Sequence, residues 1–142
     1  MKKILVIGQA PPAVKQSIPY DTTMLYEWLG EIGIDKMQAQ FLFEWEAIYN
    51  TFPGYNEDGS HKQPTELQMR EHWDGALGQK VIDADKLWVL GNVAMKYLIN
   101  NQQALVGSKQ LLFTMHPSKR NMDAYRKVKA VMLDRIKRFI YD

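Results

Sequence analysis

The chain contains no cysteine. That absence alone excludes disulfides, thiolate zinc sites, iron–sulfur clusters and cysteine nucleophiles. Histidine is scarce too: the three are His61, His72 and His116, and they share no HxxxH-type spacing, so no metal is expected. No apolar run approaches the roughly 18 residues of a membrane span. Met1-Lys2-Lys3 is followed by only four apolar residues before Gly8, too few for the apolar region of a signal peptide, which points to a cytoplasmic protein with no membrane partner. Neither GxGxxG nor GK[ST] occurs, which removes the dinucleotide fingerprint and the P-loop. Internal repeats and low-complexity segments are lacking as well.

What remains is a chain of 142 residues, 46% of them hydrophobic. That is the size of one domain with a real core, so a single domain over residues 1–142 and a monomer are expected. The formal charge of +2 says little about partners. Its distribution says more, because residues 119–138 carry Lys119, Arg120, Arg126, Lys127, Lys129, Arg135, Lys137 and Arg138 against Asp123 and Asp134. This is either a nucleic-acid-facing surface or an ordinary solvated helix face.

Periodicity divides the chain into alternating elements. Residues 3–7 form a continuous apolar run, as a buried parallel strand does. Asp21-Thr22-Thr23 supplies capping residues for a helix with Met24, Leu25, Trp28, Leu29 and Ile32 inward, ending at Gly33. A short helix over 36–42 precedes a strand within 43–50. Residues 51–63 are rich in turn formers and make a long loop, a type that is usually functional or mobile. Pro64-Thr65-Glu66 opens a long helix whose continuity is weakened by Gly75 and Gly78. A strand over 87–90, a Gly91-Asn92 turn and a helix over 93–100, ended by Asn100-Asn101, come next. A strand over 111–115 and a helix over 121–141, with Tyr125, Val128, Val131, Met132, Ile136, Phe139 and Ile140 inward, complete the chain. Such alternation implies an α/β fold, a three-layer α/β/α sandwich around a mostly parallel four-stranded sheet.

Two stretches close strands: Gly8-Gln9-Ala10-Pro11-Pro12 and His116-Pro117-Ser118. Open α/β sheets place ligands at the carboxyl ends of their strands. A glycine there admits a close backbone approach, prolines stiffen the loop, and a histidine can donate to developing negative charge. The glycine of Leu90-Gly91-Asn92-Val93-Ala94 reads as a packing requirement.

Taken in order, these motifs make the chain resemble the uracil-DNA glycosylase superfamily over nearly its whole length. Gly8-Gln9-Ala10-Pro11 is similar to the first motif, sharing Gly-Gln and Pro with the GQDPYH form and Ala-Pro with the GEAPG and GLAPA forms. Pro19-Tyr20 resembles the Pro-aromatic pair whose ring stacks on the flipped base. Tyr49-Asn50-Thr51, Pro53-Gly54 and Pro64-Thr65-Glu66-Leu67 resemble the middle block with its base-reading Asn. Leu90-Gly91-Asn92-Val93-Ala94 is similar to the LGxxA turn, and His116-Pro117-Ser118 matches the second motif.

The resemblance implies a DNA glycosylase that hydrolyses the N-glycosidic bond of uracil, or of a related modified pyrimidine, in base excision repair, with DNA as its partner. It implies that His116 and the Gln9 backbone amide stabilise the departing base. Gly8, Ala10 and Pro11 then line the pocket, Tyr20 stacks and Asn50 reads the base edge. Pro117, Ser118, Lys119 and Arg120 are implied at the DNA backbone or inserted into the duplex. The chain departs from the family at Ala10, where the GQDPYH branch has its water-activating Asp. Asp21 is the nearest replacement and is equally readable as a helix cap. Without cysteine the iron–sulfur cluster of the thermophilic branches cannot form, so no cofactor is expected. Two alternatives stay open: a catalytically inactive glycosylase-fold protein that binds DNA or a protein partner, and a nucleoside enzyme on the same sheet.

Overall fold

The computed structural model describes residues 2–10 and 22–142. Four five-residue strands, β1 (Ile4–Gly8), β2 (Phe43–Ala47), β3 (Lys86–Leu90) and β4 (Gln110–Thr114), make one sheet. Their order is β2-β1-β3-β4 and every pairing is parallel. The sheet is therefore wholly parallel, and the four carboxyl ends lie along one edge.

Residue alternation on the two central strands explains the layering. Ile4 and Val6 of β1, with Trp88 and Leu90 of β3, face one apolar layer; Leu5, Ile7, Leu87 and Val89 face the other. The first layer is completed by α1 (Thr23–Glu31), α2 (Lys36–Leu42) and α6 (Met122–Tyr141). The second is completed by α3 (Glu66–His72), α4 (Gly78–Asp83) and α5 (Asn92–Gly107). Helices on both faces give the three-layer sandwich. Trp28 and Trp88 are fully buried in the first layer, and truncating a core tryptophan costs about 3–5 kcal/mol.

Several elements differ in detail from their sequence expectations. Thr22 stands at the start of α1, but its side chain makes no cap; its carbonyl accepts from Tyr26 N at 2.8 Å. Capping boxes instead open α2, between Asp35 and Gln38, and α3, between Thr65 and Gln68. The expected long helix from Glu66 contains a π turn, Trp73–Leu77. Gly78 follows it because a Cβ there would stand 2.8 Å from the Trp73 indole nitrogen and 2.9 Å from the Trp73 carbonyl oxygen. The helix expected to end at Asn100-Asn101 continues to Gly107 through a kink at Gln102. Asn101 Nδ2 donates back to the Tyr97 carbonyl at 3.0 Å, and Val106 is buried beyond the kink. On α6, Val128 and Val131 are exposed, and the buried stripe is Met132, Ile136 and Ile140 at i, i+4, i+8.

A candidate active site at the carboxyl edge of the sheet

Strands β1 and β3 are the central pair. Connections from β1 and from β3 lead to opposite outer strands, so the loops after them diverge and leave a crevice, the usual ligand position in an open α/β sheet. A cleft of about 490 Å³ lies there, within the usual range of small-molecule sites. The loop after β1 contributes Gln9 and Ala10, and the start of α5 contributes Asn92 and Val93. The segment after β4 contributes His116, Ser118, Arg120 and Asn121, and the loop after β2 contributes His61 and Gln63.

The β3–β4 side is tied together in detail. The Trp88 indole donates to Thr114 Oγ1 at 2.9 Å inside the core, and Gly91 N donates to the Thr114 carbonyl at 2.9 Å. His116 follows two residues later. Its carbonyl accepts from Ser118 N at 2.9 Å and from Asn121 Nδ2 at 2.9 Å, while Asn121 N donates to the Ser118 carbonyl at 3.0 Å. Pro117 is buried beneath this turn. Gly91 has φ +87°, and a Cβ there would sit 3.1 Å from His116 Cβ and 3.5 Å from its Cδ2. The glycine thus serves both backbone and packing: it permits a left-handed turn and leaves room for the His116 side chain.

Gly91 also precedes α5 without any side-chain cap. The first-turn amides of a 16-residue helix therefore begin at the cleft wall, at the positive end of its macrodipole. Arg120 adds a full positive charge. The described lining is thus rich in hydrogen-bond donors, an arrangement suited to an anion or to developing negative charge.

The β1–β2 side is looser. Pairing continues one step past the strands, with Ile48 N donating to the Gly8 carbonyl at 2.8 Å and Tyr49 N to the Gln9 carbonyl at 3.3 Å. Asn50 comes next, one residue beyond that pairing, but it is exposed and lies outside the cleft lining; its Oδ1 accepts from Thr51 Oγ1 at 3.3 Å.

Of the residues singled out from the sequence, Gln9, Ala10, His116, Ser118 and Arg120 meet around the cleft. Gly8 is buried at the end of β1. Pro11, Tyr20 and Asp21 lie outside the described residues, as does the side chain of Lys119, whose backbone starts the short turn Lys119–Asn121. Sequence reasoning missed His61, Gln63, Asn92 and Asn121 as lining residues. Asn92 and Asn121 carried a signal, since one begins a helix and the other stands at the N-cap of one, each helix following a motif; His61 and Gln63 were hidden in the long loop. A second hollow of about 390 Å³, floored by Met69 and Tyr97, adjoins the cleft and shares Gln63, Asn92 and Val93 with it. Among the described residues no group of three or more His, Cys, Asp or Glu is placed to hold a metal, and no helix is long and apolar enough to cross a membrane.

A parallel open sheet with a cleft at its switch point is the arrangement in which α/β proteins place ligands at the strand ends. The family model of the uracil DNA glycosylase superfamily matches residues 1–139, and the chain belongs to that superfamily. Membership supports a DNA-glycosylase-type function. A search of the curated proteins gives no match.

Proposed function

We propose that the protein hydrolyses the N-glycosidic bond of uracil, or of a closely related modified pyrimidine, in DNA. The observation that carries this reading is the meeting of Gln9 and Ala10, after β1, with His116, after β4, in one cleft at the start of α5. The target base must leave the helix stack to enter such a cleft, at a cost of a few kcal/mol. As the bond between sugar and base breaks, its electron pair passes to the base, and negative charge collects on the ring. His116 and the Gln9 backbone amide donate to that charge, and the α5 terminus adds its positive field. Water completes the reaction at the sugar carbon.

Asn50 offers one donor and one acceptor on a planar amide, the pattern that separates uracil from cytosine. It follows Tyr49, whose N donates to the Gln9 carbonyl, in the loop after β2. Tyr20 is proposed to stack on the base, and Asp21 to orient the attacking water or to cap the helix. Ser118 and Arg120, with Lys119, are proposed to contact DNA phosphates. Leaving-group stabilisation alone lowers the barrier, so activity does not require an acid at position 10.

The experiment is release of free uracil from a uracil-containing oligonucleotide at stoichiometric protein, with alkali revealing the abasic site. Strand scission at the uracil position, and none in the thymine control, is the expected outcome. No release from single- or double-stranded substrate would overturn the reading. Ala10 on the cleft wall, where the GQDPYH branch has its water-activating Asp, favours one alternative, a protein that binds DNA without cutting it. That alternative expects salt-dependent binding with no base release.

A further inference from the structure

The loop after β2 carries a feature that base release does not use. Phe52, Tyr55 and His61 form a closed cluster of three rings. Phe52 and Tyr55 meet at 4.9 Å and 68°, Phe52 and His61 at 5.2 Å and 79°, and Tyr55 and His61 at 5.4 Å and 68°. Tyr55 nevertheless stays 54% exposed, too open to serve mainly as core.

The cluster sits on a stiff hairpin. Tyr55 and His61 pair as an antiparallel bridge. Lys62 N donates to the Gly54 carbonyl at 2.8 Å and Asn56 N to the Ser60 carbonyl at 2.7 Å. At the tip, Ser60 N and Oγ both donate to Asp58 Oδ1, at 3.0 and 2.6 Å. These hydrogen bonds hold the Asp58 carboxyl below the usual carboxylate range. The rings are therefore held in place before any ligand arrives, which lowers the entropy cost of using them.

His61 belongs to both the cluster and the cleft lining. The ring cluster thus adjoins the wall of the cleft through His61. Charge sets the direction of a bound strand. Glu57 and Asp58 at the hairpin tip outweigh the one Lys62 at its base and repel phosphates, whereas Arg120, from the loop after the opposite outer strand, attracts them. A strand with one base in the cleft would turn its phosphates toward Arg120 and the next base toward the rings. Bases inside a duplex stack on one another and cannot meet a protein ring; unpaired bases can.

We propose that the Phe52, Tyr55 and His61 cluster is a stacking subsite for the base next to the one in the cleft, and that the protein's preferred partner is single-stranded DNA. This rests on the reading that the cleft accepts an extruded base. The test compares the native protein with Tyr55→Ala and Tyr55→Phe. Affinity is measured for an uncleavable oligonucleotide carrying an abasic analogue flanked by 2-aminopurine, as single strand and as duplex.

Tyr55→Ala is expected to weaken single-strand binding about tenfold and to relieve 2-aminopurine quenching, while Tyr55→Phe stays within about twofold of the native protein. Duplex binding is expected to change in neither. Equal single-strand affinities for native protein and Tyr55→Ala would overturn the proposal, as would an equal loss on single strand and duplex. Because binding is read without base release, failure of the glycosylase reading would appear separately: Tyr55-dependent binding would persist while no uracil is released.

Discussion

On the β3–β4 side of the cleft, His116 is set by covalent neighbours, by packing and by hydrogen bonds at once. Pro117 is buried under it, Asn121 Nδ2 holds its carbonyl at 2.9 Å, and Gly91 leaves 3.1 Å between its Cβ and the atom any other residue would place there. On the β1–β2 side, Asn50 is exposed and accepts from Thr51 Oγ1, and the next segment is a hairpin on which Tyr55 and His61 are exposed and Phe52 is half-buried. The first wall has the rigidity that charge stabilisation requires, since a donor misplaced by an ångström loses most of its effect. The second has the exposed donors, acceptors and ring faces that reading a base requires. On the proposed reading the His116 wall chiefly stabilises charge, and the Asn50 wall chiefly reads the base.

The largest effect that could break this comparison is at His116. His116→Ala should lower single-turnover uracil release at least about a hundredfold, as loss of one oxyanion-type donor does, with oligonucleotide affinity little changed; an unchanged rate would leave the rigid wall without its chemistry. Next comes Gly91→Ala. A φ of +87° and the 3.1 Å approach to His116 make any side chain costly there, by about 1–3 kcal/mol in stability. Its rate should fall about tenfold as the imidazole is displaced. Urea midpoints and uracil release, measured on one preparation, check both.

Asn50→Asp sharpens the other wall. It removes the amide donor, so the preference for uracil over cytosine should shrink by about tenfold, with one to two hydrogen bonds at stake, while the rate on the better substrate falls less than with His116→Ala. Competition between uracil- and cytosine-containing strands reads this directly.

The smallest effect concerns pH. His72 ends α3, and burial is the main cause holding its pKa below the ordinary 6.5, against the opposing pulls of Glu46 and the Ala47 backbone. Between the folded value and 6.5 the folded state binds fewer protons than the unfolded one. Stability therefore rises with pH through that window and is lost as pH falls below about 6.5. Urea midpoints from pH 7.5 down to pH 5 should fall for the native protein and fall less for His72→Gln. Hydrogen exchange should locate the loosening at β2 and the ring hairpin rather than at His116.

Legibility from sequence followed how local the cause was. The continuous apolar runs of β1 and β3, and the helical spacing of Met24, Leu25, Trp28 and Leu29, were readable because burial on a fixed period leaves its mark on residue type. His116-Pro117-Ser118 and Gly8-Gln9-Ala10 were readable as strand-end motifs, and the cleft joins them. The role of Gly91 was read as packing, and it is packing against His116 specifically. By contrast, the ring cluster depends on a bridge between Tyr55 and His61 within a segment whose composition signals only turns. The extension of α5 past Asn101 depends on a side chain bonding back to Tyr97 and on burial of Val106. Val128 and Val131 match the helical period of α6, yet the layer beneath buries Met132, Ile136 and Ile140, covers Tyr125, Leu133 and Phe139 in part, and leaves the two valines exposed. Period identifies a face; it does not say how wide a neighbour covers it.

The central claim is that both walls close on one base. Titration of the protein with free uracil, followed through backbone amide resonances, tests it without any need for turnover. The account expects the amides of Gln9 and Asn50 on one wall, and of Asn92 and Ser118 on the other, to shift together and saturate with a single dissociation constant. Shifts confined to one wall, or centred on Met69 and Tyr97 in the adjoining hollow, would contradict it.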